Sequence, residues 1–80
     1  MSFEPRDGSI VLGGIPWLAR MIDKARAKAD GTIEDYIYPC PKDQDLLKKL
    51  SLTAEEFSAI VAESNSDEEI VEKVKANYRG

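Results

Sequence analysis

Two Ser/Thr-x-x-Glu sequences, Thr53 with Glu56 and Ser66 with Glu69, stand thirteen residues apart (53 to 66). Each is a helix-start signature in which a hydroxyl and a carboxylate satisfy one another's unpaired backbone N–H groups. A helix that begins near 53 must therefore stop before 66, at about ten residues, and a helix that short is marginal in water unless it buries an apolar stripe on a neighbour. The stripes are present. Leu52, just before the first cap, is placed to staple onto Phe57, and Phe57, Ile60 and Val61 share one face, while Ile70, Val71 and Val74, extended by Tyr78, share the next. Asp67, Glu68 and Glu69 suit the positive end of that last helix.

Similar punctuation runs upstream. Pro16 suits the first turn of a helix because its missing N–H costs nothing there, and Asp30-Gly31 supplies a stop. Between them Trp17, Leu18, Met21, Ile22, Ala25 and Ala29 fall on one face. Thr32 is placed to cap a single turn, and Tyr36 to Cys40 reads as extended because Pro39 and Pro41 each push their predecessor out of helical space. A further helix spans 42–50, with Leu46, Leu47 and Leu50 inward and Lys48 and Lys49 in solvent. Residues 1–14 hold Pro5, Gly8, Gly13 and Gly14 around Ile10-Val11-Leu12, too little for a sheet, and read as a strap over the helices. The expectation is all-α: a compact bundle of about four short helices with an irregular glycine-containing N-terminal strap. The strap is 1–14, and 15–80 is a small helical domain that folds with it as one unit.

Size and charge then exclude whole classes. At 80 residues and 8.9 kDa there is no room for separate catalytic and substrate domains. Cys40 is the single cysteine, which rules out an internal disulfide and a Cys-rich zinc cluster. No apolar run approaches the roughly 20 residues that cross a bilayer. Glu4, Arg6 and Asp7 near the start do not read as a signal sequence, so a cytoplasmic protein away from membranes is expected. The formal charge is −4, with five basic and six acidic groups in residues 1–40 and six basic and nine acidic groups in 41–80. Such a field opposes counterion release from phosphates, making nucleic acid an unlikely partner. The last two helices imitate a helix-turn-helix, but a recognition helix opening with Asp67-Glu68-Glu69 would aim three carboxylates at DNA.

The chemistry census is mainly negative. With no histidine, every Ser-His-Asp or Cys-His arrangement is absent, and no catalytic residue is assigned. Gly13-Gly14 lacks the Gly-Lys-Ser/Thr ending of a phosphate loop and reads as a turn. Asp43/Asp45 and Glu34/Asp35 meet neither the spacing of a calcium loop nor the facing geometry of glycosidase carboxylates, and read as solvated or helix-start charge. Nothing in the pattern calls for a metal or a cofactor. Cys40, between Pro39 and Pro41, falls near the start of the 42–50 helix, where the helix field favours a thiolate, so it is a candidate reactive thiol. The plainer reading of a lone cysteine is a small buried hydrophobe.

Binding residues are easier to nominate. Arg20, Lys24 and Lys28 follow one another at spacings of four along one edge of the first helix, beside Trp17. Long basic side chains also snorkel from the rim of a core face, and Asp23 offers local compensation, which is the plainer account of that edge. If Tyr36 and Tyr38 fold back toward Trp17, they add an aromatic wall. The candidate binding set is therefore Trp17, Arg20, Lys24, Lys28, Tyr36 and Tyr38.

Residues 13–47, and most specifically Arg20-Met21-Ile22-Asp23-Lys24-Ala25-Arg26, Gly31-Thr32, Tyr36, and Cys40-Pro41 with Asp43, resemble the central block of a bacterial family named only as a domain of unknown function, DUF5069. Ser66-Asp67-Glu68-Glu69-Ile70 is similar to a later block of the same family. The resemblance implies a shared domain without an activity, and directs attention to the polar residues Asp23, Arg26 and Asp43 as well as to Arg20, Lys24 and Tyr36.

Two functions follow as expectations. The first is a non-catalytic module that binds a protein partner or an anionic small molecule along the first helix and the 36–40 segment. The second is a small enzyme using Cys40 or a carboxylate, completed by oligomerisation. An exposed apolar patch favours the protein partner, and a pocket lined by Arg20 and Lys24 favours the ligand.

Overall fold

The computed structural model describes residues 3–78, so residues 1–2 of the expected strap and 79–80 of the helical unit lie outside it. The strap enters without regular structure and then folds back on itself. Gly13 and Gly14 both have left-handed backbones (φ 62° and 81°), the requirement of a tight two-residue hairpin turn. They join β1 (Val11–Leu12) to β2 (Ile15–Pro16), with Leu12 opposite Ile15. This pairing corrects the expected start of the first helix. Ile15 and Pro16 belong to the hairpin, which drives Ile15 fully into the core, and α1 (Leu18–Asp30) begins two residues later than Pro16.

Trp17 makes the corner between hairpin and helix with φ 73°. Gly31, at φ 74°, closes α1 by donating to the carbonyls of Ala27 and Lys28, and the Thr32 N–H reaches Ala27 O at 2.8 Å. Thr32 thus finishes α1 instead of capping a separate turn. In the connection that follows, Tyr36 N–H donates to Ile33 O, and Tyr38-Pro39 forms a turn with a cis peptide bond where an extended run was expected.

The remaining helices are α2 (Pro41–Leu50), α3 (Ala54–Glu63) and α4 (Asp67–Lys75). The box at α3 is reciprocal: Thr53 Oγ1 accepts from Glu56 N–H at 3.1 Å and Glu56 Oε1 accepts from Thr53 N–H at 2.9 Å. At α4 only half forms. Ser66 Oγ accepts from Glu69 N–H, but the Glu69 carboxylate reaches past it to Asn65 N–H.

All four helices and the hairpin contribute to one core. Ile15, Leu18, Met21, Ile22, Leu50, Phe57, Ile70 and Val74 are completely enclosed, with Leu46, Leu47 and Val61 nearly so. The architecture is an all-helical bundle of four helices with a short N-terminal strand region. α1 is the central element: it packs on α3 and against the hairpin, and even Ala19 and Ala27 are buried. Two expectations on α1 change. Ala29 is exposed, and Lys24, assigned to a solvent-facing edge, is buried at 3% exposure.

Candidate functional site

A charged side chain is buried only with a partner, and Lys24 has one arriving from α2. Its Nζ lies 2.7 Å from Asp43 Oδ2, and Asp43 is wholly enclosed. This overturns the reading of Asp43 as solvated charge, although its helix-start role stands. As third residue of α2, Asp43 accepts the Cys40 backbone N–H through Oδ2 at 3.0 Å. Its other oxygen accepts Trp17 Nε1–H at 2.7 Å. One carboxylate therefore joins three pieces of chain: the corner before α1, the middle of α1 and the first turn of α2.

Trp17 is held from several directions. A bulky residue at φ 73° is sterically unfavourable by about 1–3 kcal/mol and persists only where its surroundings over-determine it. Here its backbone N–H donates to Gly8 O at 3.2 Å, its indole N–H is fixed on Asp43, and its ring lies so close to Gly8 that a Cβ there would overlap it. Cations surround that ring: Lys42 Nζ at 4.9 Å, Arg20 Cζ at 5.5 Å and Lys24 Nζ at 6.0 Å from its centroid. Arg20 also sits 5.5 Å from the Tyr36 ring, which meets Phe3 edge-on.

In front of this constellation lies an open cleft of about 790 Å³. Trp17, Arg20, Tyr36 and Lys42 form the side built by the helices, and Glu4, Pro5, Asp7, Gly8 and Ser9 form the strap side. Lys24 is paired with Asp43, whereas no described carboxylate forms an ion pair with Arg20 or Lys42. Arg20 spends one N–H on the Arg6 carbonyl at 3.2 Å. The pKa of the Asp7 carboxyl is held below its ordinary value chiefly by the backbone N–H of Ser9, then by the Ser9 side chain, with Arg20 adding to the effect.

The nominated residues divide accordingly. Trp17, Arg20 and Tyr36 meet in the cleft; Lys24 stands behind the Trp17 ring. Tyr38 turns away from Trp17: it is buried toward α3, its hydroxyl 3.4 Å from Ala54 O. Burial raises the pKa of its phenol above the ordinary value, the Ser58 hydrogen bond opposes that, and the charges of Asp43 and Glu55 add to it. Lys28 is exposed and tied to the Tyr38 carbonyl at 3.0 Å, well outside the cleft. Cys40, half-buried at the N-cap of α2, accepts a hydrogen bond on Sγ from Lys24 Nζ at 3.2 Å. Among the described residues, no group of three or more Cys, Asp or Glu comes together to hold a metal ion. No described helix is long and apolar enough to cross a membrane.

A family model described as a domain of unknown function, DUF5069, matches residues 3–80. The chain belongs to that family. No curated protein matches it.

In this DUF5069 chain the polar residues Asp23 and Arg26 form a second cluster beside the first. Arg6 from the strap donates to both oxygens of Asp23, through its backbone N–H and Nε to Oδ2 and through Nη2 to Oδ1, at 2.8–2.9 Å. It also donates to Asp67 Oδ2 at 2.9 Å, while Arg26 lies 3.1 Å from Asp67 Oδ1, an ion pair without hydrogen-bond alignment. Asp23 raises the Arg6 guanidinium's basicity most, burial opposes it, and Asp67 adds to the rise. For Asp67, burial pushes the carboxyl up, but hydrogen bonding and charge from Arg6 together with Arg26 prevail and leave it lowered. Neither Arg6 nor Lys42 stood out in the sequence. Arg6 lies in a glycine- and proline-punctuated lead without periodicity, and Lys42 is a single basic residue at the start of its helix, six residues before the next, Lys48.

Proposed function

We propose that this chain is a non-catalytic binding module for an anionic small molecule seated in the cleft between the strap and the starts of α1 and α2. One observation carries the reading. Arg20 and Lys42 converge on the Trp17 ring at the mouth of an open cavity, and neither has a carboxylate partner among the described residues. The cavity falls within the range of about 300–1,000 Å³ common for ligand sites. The single cysteine, a free thiol suited to a reducing compartment, supports a cytoplasmic home.

The test is an amide NMR titration at physiological salt against inorganic phosphate, sugar phosphates, dicarboxylates and an acidic peptide. Saturable shifts around Trp17, Arg20, Tyr36 and Lys42, lost in Arg20→Glu and Lys42→Glu, are expected. Shifts only with the peptide move the assignment to a protein partner, and no saturable shift with any probe ends the reading. Lys24→Glu is not a fair test, since it sets a second carboxylate against enclosed Asp43.

A second reading has its own observation: the contact between Cys40 Sγ and the buried Lys24 ammonium at the start of α2. A cysteine beside a cation at a helix start is the setting in which Cys-based enzymes place their nucleophile. Alkylation of the native protein by iodoacetamide should then run faster than that of a model thiol. A rate at or below the model thiol's removes the enzyme reading.

A further inference from the structure

The cleft is lined by charges of both signs, and these narrow the ligand within the anion-binding reading on which this step rests. Around the Trp17 ring stand three cations, Arg20, Lys24 and Lys42; Asp43 pairs with Lys24, and no described carboxylate forms an ion pair with Arg20 or Lys42. The strap adds two exposed carboxylates to the lining of the same cavity, Glu4 and Asp7. A monoanion leaves one of the two positive charges uncompensated, whereas a phosphate monoester carries about −1.5 to −2 near neutral pH and offers three acceptor oxygens to a guanidinium and an ammonium. Carboxylates, in turn, only accept hydrogen bonds. The part of the ligand that faces Glu4 and Asp7 must therefore present donors and no negative charge. A polyanion such as a nucleoside triphosphate would push further phosphates against that wall. The Trp17 and Tyr36 rings in the same lining supply flat apolar surface for carbon-bound hydrogens.

We infer that the ligand class is a phosphate monoester of a sugar or polyol, with its phosphate at Arg20 and Lys42 and its hydroxyls donating to Glu4 and Asp7. Each part of the site then has one task. The cations hold the charge, and the strap carboxylates select what the charge is attached to.

Trp17 is the only tryptophan, so indole fluorescence reports the cleft alone. The experiment titrates the protein with inorganic phosphate, glucose 6-phosphate, glucose and ATP, in the wild type and in the double variant Glu4→Gln/Asp7→Asn. Both substitutions are at exposed positions, and circular dichroism verifies the fold. The expected result is glucose 6-phosphate binding at least about tenfold more tightly than phosphate, the equivalent of roughly 1.4 kcal/mol. Glucose alone should be silent and ATP weaker than glucose 6-phosphate. The double variant should bring glucose 6-phosphate to within about twofold of phosphate while phosphate itself holds or tightens. Equal affinity for phosphate and glucose 6-phosphate in the wild type, tighter ATP, or a margin that survives the double variant overturns the ligand class and leaves anion binding standing. Silence toward all four, together with silence toward dicarboxylates in the NMR titration, overturns the anion-binding reading itself.

Discussion

Asp43 and Lys24 carry a consequence out of proportion to a single contact. Removing one partner of a buried pair leaves the other charge enclosed without compensation, at a cost of about 3–5 kcal/mol, whereas removing both together is often close to neutral. A domain of this size has a total stability on the order of 4–12 kcal/mol. Lys24→Met and Asp43→Asn should therefore each be severely destabilised in urea titrations. The double variant, in which the Asn carbonyl still accepts Trp17 Nε1–H, should retain well over the stability expected from adding the two losses. Strict additivity would mean that the two side chains do not act as a pair. The same pair explains what sequence reasoning could and could not reach. Lys24 follows Arg20 by four and reads as the rim of a core face; Asp43 is third in α2 and reads as helix-start charge. Local spacing supports both, because only the arrival of α2 against α1 decides that these rims touch and close. Trp17 was reachable as an aromatic beside basic residues, but its left-handed corner was not. That conformation is imposed by Gly8, by Asp43 and by the hairpin before it.

At the scale of elements, the helices were legible wherever their signals are local. Thr53, Glu56 and Gly31 act on backbone groups within a few residues, and α3 and the end of α1 lie where those signals put them, while α2 begins at Pro41, one residue before the expected 42. The start of α1 was not legible from Pro16, because a proline at the first turn of a helix and a proline ending a two-residue strand look alike without the partner strand. Two pairs of substitutions follow. Thr53→Ala should cost about 1 kcal/mol in denaturant titrations and Thr53→Ser much less, since the serine hydroxyl restores the bond to Glu56 N–H. Gly13→Ala should cost clearly more than Gly31→Ala. Both glycines have positive φ and pay a similar conformational penalty of about 1 kcal/mol, but a Cβ at Gly13 would run into the Val71 side chain while the space at Gly31 is open. Equal losses at the two glycines would place α4 away from the hairpin turn.

For the molecule as a whole, the surface and dimensions match those of a fully packed chain without a partner: 4972 Å² exposed and a radius of gyration of 11.5 Å, against roughly 4,800 Å² and about 11.6 Å expected for its mass and length. The strap is therefore part of the packing, and Arg6 is what ties it down, bonded to Asp23 on α1 and Asp67 at the start of α4. This sets a pH dependence. Folding lowers the pKa of the Asp67 carboxyl from its ordinary value of 3.8, so the unfolded chain binds its proton first as pH falls. The contribution of Asp67 is accordingly full above that ordinary value and is lost as pH drops through the lower folded value. Asp67→Asn should be less stable than the wild type at neutral pH, with the difference narrowing toward strongly acid solution. A constant difference across the range would assign the loss to packing instead. Arg6→Gln should act more locally. The Trp17 amide, bonded to Gly8 O, and the Ile10 amide, bonded to Asp7 O, should exchange with solvent faster relative to the α3 amides around Phe57, because the strap opens without the core. Since Glu4 and Asp7 ride on that strap and Arg20 bonds the Arg6 carbonyl, the same variant should weaken both the affinity and the selectivity of the cleft. A uniform rise in exchange across the whole chain would instead make Arg6 a general support of the fold, and the strap would have no opening of its own.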